Sequence, residues 1–138
     1  MLQTRERLED IGKLLLRLVV AAPMLFHGID KVLNGPGHVR VNLAEQGMPD
    51  ILAYGVYVGE VVAPAFVLAG VWARFWALVY SLSITFATLL VHGADFVHLA
   101  PTEGWAAELW VFYMSTPLVI ALLGPGRYVL RTGSGPWT

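Results

Sequence analysis

Cysteine is absent from this sequence. The chain therefore brings no disulfide exchange, no persulfide, no iron–sulfur ligand and no thiolate metal site of its own. Redox chemistry here would require a bound cofactor, a quinone or a partner subunit. Charge is also scarce. Asp, Glu, Lys and Arg make up 14% of the 138 residues, against about 25% in a soluble domain. With a net charge of −1 and no basic stripe, the chain lacks the electrostatic footprint of a nucleic-acid binder. Internal repeats and low-complexity tracts are missing too, and the length suits one domain, residues 1–138.

What remains is mostly apolar, 57% of the chain, and it falls into four segments: Ile11–Val32, Ile51–Trp72, Phe75–His92 and Trp105–Leu123. A membrane-crossing helix takes about 20 residues for ~30 Å of hydrocarbon. The sequence thus predicts an all-α fold, a four-helix transmembrane bundle. Asn34-Gly35-Pro36-Gly37 and Gly124-Pro125-Gly126 read as helix stops. Between helices one and two, His38–Gln46 alternates Val39, Val41, Leu43 and Ala44 with Arg40, Asn42 and Glu45, which suits a short interfacial helix closed by Gly47 and Pro49. Ala73-Arg74 leaves room only for a tight hairpin between helices two and three. Gly93–Gly104 reads as an acidic loop with Asp95 and Glu103. Met1–Asp10 is polar and reads as a surface helix. A cleaved signal peptide is the rival reading of the start, with Val19-Val20-Ala21-Ala22-Pro23 as its small residues; Glu6, Glu9, Asp10 and Arg17 oppose it.

Lys and Arg set the expected orientation. Arg5, Arg7, Lys13, Arg74, Arg127 and Arg131 fall on one side of a four-span topology, and only Lys31 and Arg40 on the other. Both termini are expected in the cytoplasm, with Trp72, Trp76 and Tyr128 at the inner interface and Tyr54, Trp105 and Trp110 at the outer one.

The informative residues are the ionisable ones inside the apolar segments. Glu60 carries the only formal charge in the stretch from Ile51 to Trp72. A charge at that depth costs roughly 2.5–3.5 kcal/mol on insertion scales, so it is expected to face protein and to have a partner. Counting ~1.5 Å per residue from the inner end of each helix places His27 at ~21 Å, Glu60 at ~18 Å, His92 at ~27 Å and Glu108 at ~24 Å, with Lys31 near the level of His92. Five ionisable groups from four helices therefore converge on the outer half. Arg17 and Arg74 sit apart, toward the inner side. Ser81, Thr85, Thr88 and His92 form one stripe on helix three, and Glu108 precedes Ser115 by seven residues on helix four. Gly55, Gly59 and Ala63 make a small-residue ridge that permits close helix approach. The competing reading is structural: buried Glu–His or Glu–Lys pairs can serve only to fix helix register, Ser and Thr can bond back to their own helix, and Arg74 can simply reach lipid phosphates.

Taken in order, the motifs resemble the DoxX family of small bacterial membrane proteins. They are Arg17-Leu18, Phe26-His27-Gly28 with Lys31, Gly47-Met48-Pro49, Gly59-Glu60, Gly70-Val71-Trp72-Ala73-Arg74, His92, Trp105 with Glu108, and Leu123-Gly124-Pro125-Gly126-Arg127-Tyr128. The family pattern usually ends Ser-Leu-Asp-like after the tyrosine, where this chain has Val129-Leu130-Arg131. The resemblance implies a four-helix bundle in the bacterial cytoplasmic membrane, similar to the small membrane subunit of thiosulfate:quinone oxidoreductase.

Three functions follow as expectations. The first is a quinone-binding or accessory subunit of an oxidoreductase. In it His27, His92 or Lys31 would hydrogen-bond the quinone carbonyls, Glu60 and Glu108 would relay protons, and a soluble redox partner would donate electrons. The second is a non-catalytic assembly or anchoring protein that recruits its partner through the Gly93–Gly104 loop. The third is a small proton-coupled transporter acting as a homo-oligomer. Haem between His27 and His92, or a metal ion among His27, His92, Glu60 and Glu108, ranks below quinone as a cofactor.

Overall fold

The computed structural model describes residues 2–100, 104–130, 135 and 137. Glu103 of the outer loop and Arg131 of the tail lie outside them. Five helices form the described chain: α1 (Leu2–Asn34), α2 (Gly37–Glu45), α3 (Asp50–Ala69), α4 (Ala73–His92) and α5 (Glu108–Leu123). No strand occurs among the described residues; an isolated antiparallel bridge joins Leu99 to Trp105.

α1 is continuous where the sequence suggested a surface helix followed by a span starting at Ile11. No proline precedes Pro23 in α1, and Arg5 Nε donates to Glu9 Oε1 at 3.2 Å, an i,i+4 pair of the kind that supports an exposed helix. α2 occupies the expected interfacial stretch. It ends at Gly47, where φ is +67°, with Met48 N–H on Leu43 O at 2.9 Å and Gly47 N–H on Ala44 O at 3.0 Å. This is the Schellman closure that a glycine permits. The same device ends α3: Gly70 has φ +74°, and Val71 and Gly70 donate to Phe66 O and Val67 O at 3.1 and 3.2 Å. α3 therefore stops three residues short of the expected Trp72. Trp72 takes a left-handed φ of 48°, a conformation that costs a residue with a Cβ about 1–2 kcal/mol, and so turns the chain at once into α4.

α3 is not a uniform helix. It opens as a 3-10 turn over Asp50–Tyr54, passes through one α turn at Gly55–Tyr57, widens to a π-helical segment at Val58–Val62, and resumes α geometry at Ala63–Ala69. Pro64 has no N–H to offer the carbonyl of Glu60 four residues back. The widened turn holds Glu60 itself. At the other end of the molecule, α5 begins three residues later than expected. Trp105 is held in the loop instead, its Nε1 donating to Phe96 O at 3.1 Å and its backbone bridged to Leu99.

α1 packs on α3 and α5, and α4 packs on the same two helices. Val20, Ala21, Met24, Ala63, Val67, Ala77, Tyr80, Ile84 and Ile120 form the shared core. Polar side chains bind the layers: Tyr80 Oη donates to Val20 O at 3.1 Å, and Ser81 Oγ to Met114 O at 2.6 Å. Two glycines allow the closest approaches. A Cβ on Gly28 would overlap the backbone carbonyl of Glu60, and a Cβ on Gly59 would overlap Ser83. The expected ridge is therefore used at Gly59 and Ala63, while Gly55 faces open space.

The outer faces are apolar. Phe26 is 75% exposed, Leu82 70% and Leu122 77%, a density of exposed hydrophobic side chains that water does not tolerate on a monomer. Three helices, Gln3–Asn34, Asp50–Ala69 and Ala73–Val97, are long and apolar enough to cross a membrane, and the apolar Glu108–Leu123 is shorter.

Candidate functional site

A cavity of 200 Å³ lies among α1, α3, α4 and α5, with α2 contributing Val39. His27 and Lys31 of α1, Glu60 of α3, Thr88 and His92 of α4, and Trp110 and Tyr113 of α5 line it. Four of the five ionisable residues placed in the outer half by the sequence thus meet at one cavity.

Glu60 is buried and accepts from Lys31 Nζ at 2.5 Å. The widened π turn carries the carboxylate, and Gly28, which brings α1 against that turn, lies three residues before Lys31, almost one helical turn. Tyr57, also on α3, donates to the backbone carbonyl of Lys31 at 3.1 Å, so the same stretch of α1 is held twice. An ammonium has three donors; the carboxylate takes one.

His92 closes the outer end of α4. Its Nδ1 lies 2.9 Å from Asp95 Oδ2 in the following 3-10 turn, Gly93–Val97, and its ring stacks on Trp110 with centroids 4.1 Å apart. The carboxylate and the indole together fix the imidazole plane. The pairing with Asp95 had no sequence signal beyond an i+3 spacing that runs past the helix end. His27 is more exposed and meets Tyr113 edge-on at 6.4 Å. Thr88 is buried in the cavity wall. The neighbouring Thr85 donates to Ser81 O at 2.7 Å, bonding back to its own helix as polar residues in apolar helices often do.

Glu108 does not join the group. It is exposed at the start of α5, with its carboxylate beside Gly104 of the preceding loop, and Ser115 of the same stripe is exposed and bonded back to Val111 O. Among the described residues no three His, Asp or Glu side chains come close enough to hold one metal ion.

Arg17 and Arg74 serve the C-terminal ends of α3 and α5. The carbonyls of a helix's last turn lack intrahelical partners. Buried Arg17 donates to Val67 O and Leu68 O at the end of α3, at 3.5 and 3.2 Å, and to Tyr128 O in the tail. Its Nε has no partner among the described residues. Arg74 donates to Ala121 O and Leu122 O at the end of α5, at 2.8 and 3.0 Å. Both guanidinium groups cap a neighbouring helix's C-terminus rather than reaching outward.

No curated protein and no solved structure matches the chain. A family model does, described as DoxX, over residues 12–93. That stretch holds Arg17, His27, Lys31, Glu60, Arg74 and His92, and so both caps, the four charged or imidazole residues of the cavity, all of Asp50–Ala69 and most of the other two membrane-length helices; the α5 wall lies beyond it. With more than half of its length matched, and with its apolar outer faces, the chain belongs to the DoxX family of small membrane proteins.

Proposed function

We propose that this protein is a membrane subunit of an oxidoreductase system and binds a quinone headgroup in the cavity lined by His27, Lys31, Glu60 and His92. The observation that carries this reading is the composition of that cavity. Two imidazoles and an ammonium, all able to donate to carbonyl oxygens, share the cavity with the Glu60 carboxylate and the Thr88 hydroxyl, and Trp110, Tyr113, Met24 and aliphatic side chains complete its walls. A cavity of about 150 Å³ accommodates a benzene ring, so 200 Å³ suits one substituted aromatic ring. His92, braced by Asp95 and Trp110, is the best-oriented donor; Glu60, paired with Lys31, is the carboxylate available to exchange a proton. The bound quinone would supply the redox chemistry. This chain's part is to position the ring, exclude lipid and water, and hold a proton near the carbonyl oxygen. Electrons would come from a soluble partner.

The same reading has the chain crossing a bacterial cytoplasmic membrane four times, α5 included, with both termini inside. Supporting it are the Lys/Arg asymmetry and the position of both arginine caps at the end opposite His92. The accessory-scaffold alternative is favoured by one observation: Lys31 and His92 already have carboxylate partners of their own. The deciding experiment is mass spectrometry of the lipid extract of protein purified in mild detergent, with a melting curve before and after adding quinone. Bound quinone and a raised melting temperature support the ligand reading. The absence of both effects would favour the scaffold reading.

A further inference from the structure

A second cavity, of 340 Å³, opens between α3 and α4 beneath α2. Its lining is almost wholly apolar; Glu60 and Ser83 are the only charged and hydroxyl side chains in it. Five of its residues, Val39, Glu60, Ile84, Ala87 and Val91, also line the polar cavity. The two spaces therefore adjoin, and Glu60 lines both. The groove's far lip is formed by Leu82 and Phe86, 70% and 49% exposed, on the face that would meet hydrocarbon. Gly55 lines the groove and faces open space, where a Cβ would meet nothing within 4 Å.

We propose that this groove holds the apolar chain of an amphiphile whose carbonyl-bearing head occupies the polar cavity. The inference rests on the ligand reading above and narrows it to headgroups that carry one long hydrocarbon tail, the isoprenoid-quinone class. It also assigns the route of access, sideways from the bilayer between α3 and α4. A tail already dissolved in lipid gains no hydrophobic transfer energy by entering a protein groove; only packing distinguishes the two places. The head decides affinity and the groove decides where the tail lies, so the test must locate the tail.

Full-length protein in lipid nanodiscs is photolabelled with a quinone bearing a diazirine on its tail. The expected result is crosslinking within Leu52–Gly59 and Leu82–Leu90, lost when excess tail-free headgroup is added. Gly55→Leu, which fills open space, is expected to abolish that crosslink while the tail-free headgroup still raises the melting temperature as in wild type. The competition uses wild-type protein and so stands even if the variant folds poorly. Crosslinks on other faces, or groove labelling that the tail-free headgroup leaves unchanged, would overturn the proposal. So would equal labelling by a photoreactive phospholipid that quinone does not displace, since the groove would then hold an ordinary bilayer chain. A headgroup that fails to bind at all removes the ligand reading itself, a result distinct from a bound head with its tail elsewhere.

Discussion

At the scale of single residues, the Lys31–Glu60 pair dominates. Removing one partner of a buried ion pair strands the other charge and typically costs about 3–5 kcal/mol, whereas replacing both with apolar groups is often neutral. Lys31→Met and Glu60→Leu are each expected to lower the melting temperature clearly, and the double variant to recover most of the loss. Glu60→Gln keeps a polar partner for Lys31, so it should retain the fold; under the ligand reading it changes quinone reactivity, and under the scaffold reading only stability. The histidines give a second prediction. Losing a hydrogen bond to a neutral carbonyl costs about 0.5–1.5 kcal/mol, roughly three- to tenfold in affinity. His27→Ala and His92→Ala should each weaken quinone binding by that much. His98, whose Nδ1 lies 2.7 Å from Ala94 O in the loop, serves as the unaffected control. Much of this site was legible in sequence, because helical rise converts position into depth and a buried charge demands a partner. Asp95 was not, since its contact depends on the turn taken after α4 ends. Glu108 was placed by depth and by its seven-residue spacing to Ser115, and neither says which way a side chain at a helix's first turn will point.

At the scale of elements, glycines decide which helices touch. Gly28 sits against the Glu60 carbonyl and Val61, so any larger residue must push α1 away from α3. Gly28→Val is expected to destabilise by about 1–3 kcal/mol, the usual cost of overpacking, and to weaken the Lys31–Glu60 contact with it. Gly12 has nothing within 4 Å of its absent Cβ; Gly12→Ala should be neutral or stabilising, since alanine is favoured over glycine in helices by roughly 1 kcal/mol. Melting curves of the two variants check both statements. Helix positions were readable from hydropathy and from the Gly and Pro stops. The internal irregularity of α3 was not: a proline eight residues before a helix stop reads as tolerable in sequence, and nothing in the residue pattern says that the turn before it widens to π geometry.

At the scale of the whole molecule, reporter fusions at Gly37 and Thr102 should lie outside and a fusion after Thr138 inside, if the protein crosses the membrane four times. An external C-terminus would refute this topology and the inward placement of both arginine caps. The cap on α3 has a consequence for how the protein is made. Arg17 lies on α1, yet its acceptors, Val67, Leu68 and Tyr128, come 50 to 111 residues later in the chain. Tyr128 is translated only after the whole of α5, and Leu130 N–H then closes onto Ala69 O at 2.9 Å. Until then Arg17 has only the α3 carbonyls of Val67 and Leu68 as acceptors, and its third partner is missing. The segment around Tyr128 thus completes a cap begun on α1, so a nascent chain arrested before Tyr128 should be degraded faster by membrane quality-control proteases than one extended past Leu130.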